Sequence, residues 1–407
     1  MTSRETAQTI DQRLAPILRQ MEEVGVLLNT SYLESLAVDL ADQLARLEEE
    51  IFELVGHPFL LTSPKQLGQV LYGELHLDGA EGVRIRKKAT GLSTGAAELA
   101  KLQATHPVIQ LIMKHREIGK LLSTYVLPLP RLVDSAHRLH TTYAPDAASG
   151  RLSSRKPNLQ NIPIRTELGR TIRQAFIAKP GSVLLSADYS QIELRVIAHL
   201  SSDPAMIDVF QEGGDIHEAT SKALGIDRRA AKAVNFGIFY GLTAYGLAES
   251  LGVSRDEAQS FIDGYLGAYP VAAAYIENLI TLARQQGYAE TLFGKRRSLP
   301  ELMSGNEFIR RAAERIAVNH PVQGTAAEIM KLAMTQVAKE LTDHATCCPM
   351  ILQVHDELIF EVTEAHLTKL AEKVVKLMEE TTALSVPLKV EVKTGHNWAE
   401  MEPMPTE

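Results

Sequence analysis

Four short stretches of this chain read as strands, and nearly everything else that is periodic reads as helix. VLLSAD (183–188) is a continuous apolar run ending in a carboxylate, the pattern of a buried strand. MILQVHDELIFEV (350–362) is two apolar runs broken at His355-Asp356-Glu357, which reads as strand, turn, strand. LKVEVKTG near the C-terminus is a closing strand. Mostly helical patterns fill about 204–340 between the first strand and the second. Strands and helices do not alternate regularly, so a doubly wound parallel sheet is excluded. The fold class this implies is α+β, a small antiparallel sheet carrying large helical appendages.

The appendages announce themselves early. Leu33, Leu36, Leu40, Leu44, Leu47, Ile51 and Leu54 recur at three- and four-residue steps, which predicts a helix over 31–54. Ser31 and Glu34 have the spacing of a capping box at its start. A second helical stretch runs from about 106 to the prolines near 128–130. The texture changes at 139–182, which is rich in Ser, Pro, Asn and Gly and has no sustained period. A long irregular segment inside a compact chain is usually functional or disordered. SQIELRVIAHLS after the first strand reads as a helix with the stripe Ile192, Val196, Leu200, and EAHLTKLAEKVVKLMEE as another.

With 407 residues there is room for roughly two or three domains. The two cysteines, Cys347 and Cys348, are adjacent, and no CxxC occurs. A zinc site or disulfide framework is therefore not indicated, and a reducing cytoplasm is expected. The N-terminus lacks an apolar core of a signal peptide, and no apolar run approaches the ~18 residues of a membrane span. Net charge is −8, which argues against an indiscriminate nucleic-acid binder. The charge is uneven, however. Residues 151–179 hold Arg151, Arg155, Lys156, Arg165, Arg170, Arg173 and Lys179 against Glu167 alone, and RIRKK (84–88) adds a second basic patch. A polyanion would meet such patches, and a solvated basic face would look the same.

Two features carry chemistry. Asp188 ends the first strand and Asp356 tops the later turn, beside Glu357. On adjacent strands of one sheet, paired carboxylates suit two Mg²⁺ ions that keep water and phosphate oxygens as their other ligands. Read singly, Asp188 is equally a helix N-cap and His355-Asp356-Glu357 a polar turn. RRAAKAVNFGIFYG (228–241) places Arg228, Lys232, Phe236 and Tyr240 at intervals of four, a slowly drifting stripe on one helix face. Cations suit a triphosphate, and aromatic faces suit sugar and bases. Standing alone, the helix would read as a cationic turn running into core aromatics. HEATS (217–221) lacks the second histidine of a zinc-protease helix, and neither a P-loop nor a GxSxG elbow occurs.

Together these segments resemble family A DNA polymerases, the group of bacterial DNA polymerase I, over about residues 12–400. DYSQIELR (188–195) is similar to motif A, RRAAKAVNFGIFYG to motif B and QVHDEL (353–358) to motif C. GRLSS (150–154), NLQNIP (158–163), GDIH (214–217), ETLFGKRR (290–297) and PVQGTAAEIMKLAM (321–334) follow the family order. The resemblance implies a right-hand fold with an antiparallel-sheet palm and mostly helical fingers and thumb. After a lead-in (1–24), the thumb would be 25–130, the palm 131–192 with 321–407, and the fingers 193–320. It implies templated extension of a primer 3′-OH with dNTPs, by a monomer bound to primer-template DNA in a bacterial cytoplasm or phage-infected cell, without a membrane. Asp188 and Asp356 would hold two Mg²⁺ ions, with Mn²⁺ a possible substitute, and Glu357 would support them.

On the same resemblance, Arg228 and Lys232 would contact the triphosphate, Lys232 also as acid for the leaving group. Phe236 would pack on the nucleotide and Tyr240 would sit near the templating base. Glu193 would exclude a 2′-OH, with Gln191 beside it and His217 approaching the phosphates. Arg151, Asn158, Gln160, Arg315, Asn319, Gln323 and His355 would line primer, template or minor groove. The chain departs from its relatives in three places: APDAASG (144–150), where a threonine-rich run is usual; a short 218–227 after GDIH; and Leu122, where lysine is frequent. No Asp-x-Glu triplet occurs, so no exonuclease is expected in this chain. Two rival readings are a single-subunit RNA polymerase, which a gate at Glu193 would defeat, and a degenerate DNA-binding module, which would need a damaged carboxylate pair.

Overall fold

The computed structural model describes residues 6–79, 84–88, 91–145, 150–164, 166–341 and 348–404. Arg165, Cys347 and most of APDAASG lie outside the described residues. The sheet has five strands: β1 (Ser182–Tyr189), β2 (Met350–Val354), β3 (Glu357–Thr363), β4 (Val390–Gly395) and β5 (Glu402–Pro403). Their order is β2-β3-β1-β4-β5, with every neighbouring pair antiparallel. The first strand in sequence is thus the central one. All its residues are buried except Asp188.

Period-two alternation gives the sheet two different faces. Leu185, Ala187, Tyr189, Leu358 and Phe360 join the largest hydrophobic cluster. Leu184, Ile359, Leu352 and Val354 join a second one, with Phe176 and Trp398. Ser186, Asp188 and Glu357 continue this second face by the same alternation, toward the end where the hairpin β2–β3 turns.

The helices of the described residues include α1 (Ala7–Val24), α2 (Thr30–Val55), α3 (Pro107–Leu121), α4 (Ile192–Ser201), α5 (Ile216–Leu224), α6 (Arg228–Phe239), α7 (Glu307–Glu340) and α8 (Leu367–Glu379). α7 and α8 cover the first sheet face. Ala326, Ile329, Met330 and Ala333 of α7 and Leu370, Ala371 and Val374 of α8 lie in the same cluster as Leu185 and Phe360. α7 is continuous through Pro321, so the expected boundary between fingers and palm at 320/321 falls inside one helix. Among the described residues no helix is long and apolar enough to cross a membrane.

α2 confirms the leucine periodicity and corrects its start. Leu33, Leu36, Leu40, Leu47 and Ile51 are buried, whereas Leu54 is 43 % exposed. Ser31 and Glu34 do not form the capping box. Asn29 caps instead, accepting from Tyr32 N at 3.1 Å, and Ser31 Oγ donates to the same Asn29 oxygen at 2.9 Å. Asn is as good a cap as Ser, and the earlier residue takes the position. Ile51 packs with Leu67, Leu71, Leu99, Ile109 and Ile112 into a separate core away from the sheet. α3 ends at Leu121 and passes into a π turn, Leu122–Val126. The irregular 139–182 segment is ordered by a hairpin, Thr142–Pro145 with Leu152–Arg155, and a short helix, Glu167–Arg173, capped by Thr166.

Candidate active site

Register assembles the carboxylates. Asp188 on β1 is the direct cross-strand partner of Glu357 on β3. Asp356 occupies the β2–β3 turn, and its carbonyl accepts from Tyr189 N at 3.0 Å. His355 at that turn has φ 54°, a left-handed conformation a histidine adopts rarely and in turns. Asp188 is not a helix cap. The strand continues to Tyr189 and Gln191 takes the cap position of α4, at φ 55°. The cap reading of Asp188 is thereby removed, and its side chain is exposed.

The corner is crowded with negative charge. Asp188 is solvent-reachable, yet protein mass around the cleft floor replaces much of its water. That loss of solvation, with Glu357 and Asp356 adding repulsion, pushes its carboxyl up to about 7. Burial likewise raises Asp356, opposed by Arg151 and His355. It raises Glu357 too, against the Ser186 hydroxyl, which donates to it, and the charges of Arg173 and Lys393. Among the described residues no group of three or more His, Cys, Asp or Glu side chains forms a ready metal cage. An all-oxygen carboxylate pair is nevertheless the donor set that suits Mg²⁺, which binds through one or two carboxylates plus substrate phosphates rather than in a protein cage.

Glu193 sits in the first turn of α4. It is 7 % exposed and ion-paired to Arg151. Burial nonetheless pushes its carboxyl up to about 7, with Arg151 opposing and Asp356 reinforcing. Glu193, Phe236, Tyr240, Asn319 and Gln323 line one narrow cleft. Arg151, Gln353, His355 and Asp356 line a second. Gln160 is tied into this floor, its amide donating to Gln353 Oε1 at 3.0 Å. Asn158 is exposed and accepts only locally, from Gln160 N at 3.1 Å.

The cationic stripe is a helix, with one correction. Arg228, Lys232 and Phe236 lie on α6, while Tyr240 is its C-cap residue. Steps of four drift by about 40° per residue pair, so the exposed Arg228 and Lys232 lead into the half-buried Phe236 and Tyr240. Gly241 follows at φ +70°, and a Cβ there would stand 2.7 Å from Arg315 Cγ. Arg315 therefore packs directly on the chain leaving Tyr240, and glycine is required at that close approach. The short 218–227 link is the end of α5 and a three-residue turn, 225–227, whose Asp227 caps α6.

Asp215 ties this region together, although sequence reasoning did not single it out. It caps α5, accepting from His217 N at 2.7 Å, receives Arg228 Nη2 at 2.5 Å, and accepts weakly from Gln191 Nε2 at 3.4 Å. Its place directly before a helix, inside GDIH, was the available signal. His217 is 2 % exposed, and its ring lies 5.5 Å from that of Phe236. The basic segment, by contrast, does not survive as one patch. Arg173 is 4 % exposed, with its guanidinium 3.7 Å over the Trp398 ring. Arg151 is paired with Glu193, while Arg155, Lys156 and Arg170 remain exposed.

Comparison with known proteins fits this arrangement. The profile of DNA polymerase family A matches residues 30–400. The chain is 46% identical over 400 residues to the thermostable DNA polymerase I of Thermus thermophilus, covering 96% of this chain and 47% of that protein. It is also 46% identical over 401 residues to DNA polymerase I of Deinococcus radiodurans, covering 96% of this chain and 41% of that protein. The chain thus spans about half the length of these relatives. The solved POL domain of Pol1 from M. smegmatis, in complex with DNA primer-template and dNTP, superposes with a TM-score of 0.89 at 40% identity, over 96% of this chain and 70% of that one. With its palm-like sheet, paired carboxylates and matched motifs, the chain belongs to DNA polymerase family A.

Proposed function

We propose that this chain is a DNA-directed DNA polymerase that extends a primer 3′-OH with dNTPs. The observation that carries the reading is the β1–β3 register, which brings together two motifs 168 positions apart in sequence, Asp188 opposite Glu357 with Asp356 at the adjoining turn. Asp188 and Asp356 would hold two Mg²⁺ ions, or Mn²⁺ in their place. Bound there, the ions would lower the pKa of the 3′-OH and neutralise the leaving pyrophosphate. Glu357 would keep the corner negative while Ser186 fixes its carboxylate.

The chain's own residues do the rest. Arg228, oriented by Asp215, and Lys232 would grip the triphosphate, a planar fork and a point charge. Lys232 would also supply a proton to the leaving group. Phe236 would lie against sugar and base, and Tyr240 at the template side. Glu193, held by Arg151, would occupy the space a 2′-OH needs, with Gln191 beside it and His217 near the phosphates. Asn158, Gln160, Arg315, Asn319, Gln323 and His355 would contact DNA. In this reading 25–130 is the thumb, 193–320 the fingers, and 131–192 with 321–407 the palm of a monomeric, cytoplasmic enzyme. No residue here is assigned to a 3′–5′ exonuclease, and a 3′-mismatched labelled primer is expected to stay intact without nucleotides.

Primer extension on a defined template with Mg²⁺ tests the reading. Templated addition of dNTPs, with rNTPs refused, is expected. DNA binding without extension would replace the polymerase by a binding module, and rNTP extension by an RNA polymerase.

A further inference from the structure

The helix pair α5–α6 buries a polar chain that no step above uses. Asn235 is 0 % exposed in the middle of α6. Its Nδ2 donates to the Ala231 carbonyl at 2.9 Å and faces His217 Nδ1 at 3.1 Å. Its Oδ1 lies 3.2 Å from Thr220 Oγ1, whose single proton is shared with the Ile216 carbonyl at 2.8 Å. Thr220 is fully buried as well, and meets Tyr269 OH at 3.1 Å.

The Ala231 carbonyl decides which way the amide points. A carbonyl can only accept, so the amide nitrogen must face it. The nitrogen's second hydrogen then points at His217 Nδ1. An amide NH₂ has no lone pair to offer a ring N–H, so Nδ1 must itself be the acceptor. A neutral imidazole carries one proton, which leaves it on Nε2.

We propose that Asn235 is a positioning residue, whose amide holds His217 as the neutral Nε2–H tautomer, so that the ring meets a bound triphosphate as a one-proton donor and not as a cation. The proposal rests on the nucleotide-site reading above. The groups facing His217 agree with it. Burial dominates and drives the imidazole down to about 4, Lys232 and Arg228 push the same way, and only Asp215 opposes. Phe236 against the ring keeps water from one side. The positive charge for a triphosphate is thereby left to Arg228 and Lys232, and His217 adds direction. A further cation at His217 would also be repelled by both.

The test is ¹⁵N-histidine NMR of the full chain without DNA, with His217 assigned by its loss in His217→Gln. The expected signal is a pyridine-type Nδ1 and a protonated Nε2, unchanged from about pH 8 to about pH 5. An Nδ1–H tautomer, or a ring protonating near its ordinary value of about 6.5, would overturn the proposal. This arm does not depend on Asn235→Asp folding. Asn235→Asp replaces the donor by an acceptor. It should move the proton to Nδ1 or charge the ring, and raise the half-saturating dNTP concentration about tenfold with little change in maximal rate. In a His217→Gln background the same change should add less than about twofold. An unaltered tautomer and dNTP dependence in folded Asn235→Asp would refute the assignment. Failure of the wild type to extend a primer would sink the polymerase reading and leave the tautomer result standing.

Discussion

The two halves of the cleft hold charge in opposite ways. On the sheet, Asp188, Asp356 and Glu357 are fixed by strand register, and burial raises the carboxyl of each, with repulsion from its two neighbours adding to it at Asp188. On α6, Arg228 and Lys232 stand exposed on one helix, and Arg228 is steadied by the single carboxylate Asp215. Crowded carboxylates on a rigid sheet are strained as anions and gain most from a divalent cation. Exposed cations gain little until a polyanion arrives, and little strain is stored in them. On the proposed reading, the comparison would separate a preorganised chemical centre from an adaptable grip.

The largest expected effect comes from breaking the sheet side. Asp356→Ala should cut the single-turnover extension rate by about a thousandfold or more while primer-template binding stays within a few-fold. Rates within tenfold of wild type would show that this corner is not the chemical centre. On the helix side, Lys232→Ala should lower the rate by about a hundredfold, and Arg228→Ala should act mainly by raising the half-saturating dNTP concentration about tenfold. Identical profiles for the two variants would erase the distinction drawn between acid and clamp. Between the halves, Glu193→Ala should raise ribonucleotide insertion relative to dNTP by about ten- to a hundredfold. An unchanged ratio would remove the gate.

The smallest effect asks whether raised carboxyls belong to the cleft alone. Glu328 on α7 is 1 % exposed, accepts from Thr291 Oγ1 at 3.1 Å, and is pushed by burial up to about 7. A carboxyl raised on folding binds its proton more tightly in the folded state. Its stabilising contribution is full below the unfolded pKa and disappears as pH climbs through about 7. Glu328→Gln should therefore match wild type in thermal unfolding near pH 4, and melt a few degrees higher near pH 8.5. Equal melting at both would mean that Glu328 titrates normally.

Local features were legible where one segment carries the whole signal. The α2 leucines, the four strands and the α6 stripe follow from short-range periodicity. What was not legible depends on where distant segments meet. Arg173 reads as part of a basic surface, but tertiary packing slides it under Trp398, 225 positions away. The Ser31 box fails because the helix already starts at Thr30, with Asn29 as its cap and Ser31 inside its first turn. Whether Asp188 caps a helix depends on how far the strand runs, and it runs on to Tyr189, leaving the cap position to Gln191. Asp215 and Asn235 were missed for one reason: each serves a catalytic candidate on a neighbouring helix and shows no periodic signal of its own.

The division of labour itself is tested most directly by single-turnover extension of a defined primer across a range of dNTP concentrations, comparing Asp188→Ala with Arg228→Ala. The account predicts that Asp188→Ala loses about a thousandfold in maximal rate with nucleotide affinity little changed, and that Arg228→Ala loses chiefly affinity. A full maximal rate in Asp188→Ala, or losses of the same kind in both, would contradict it.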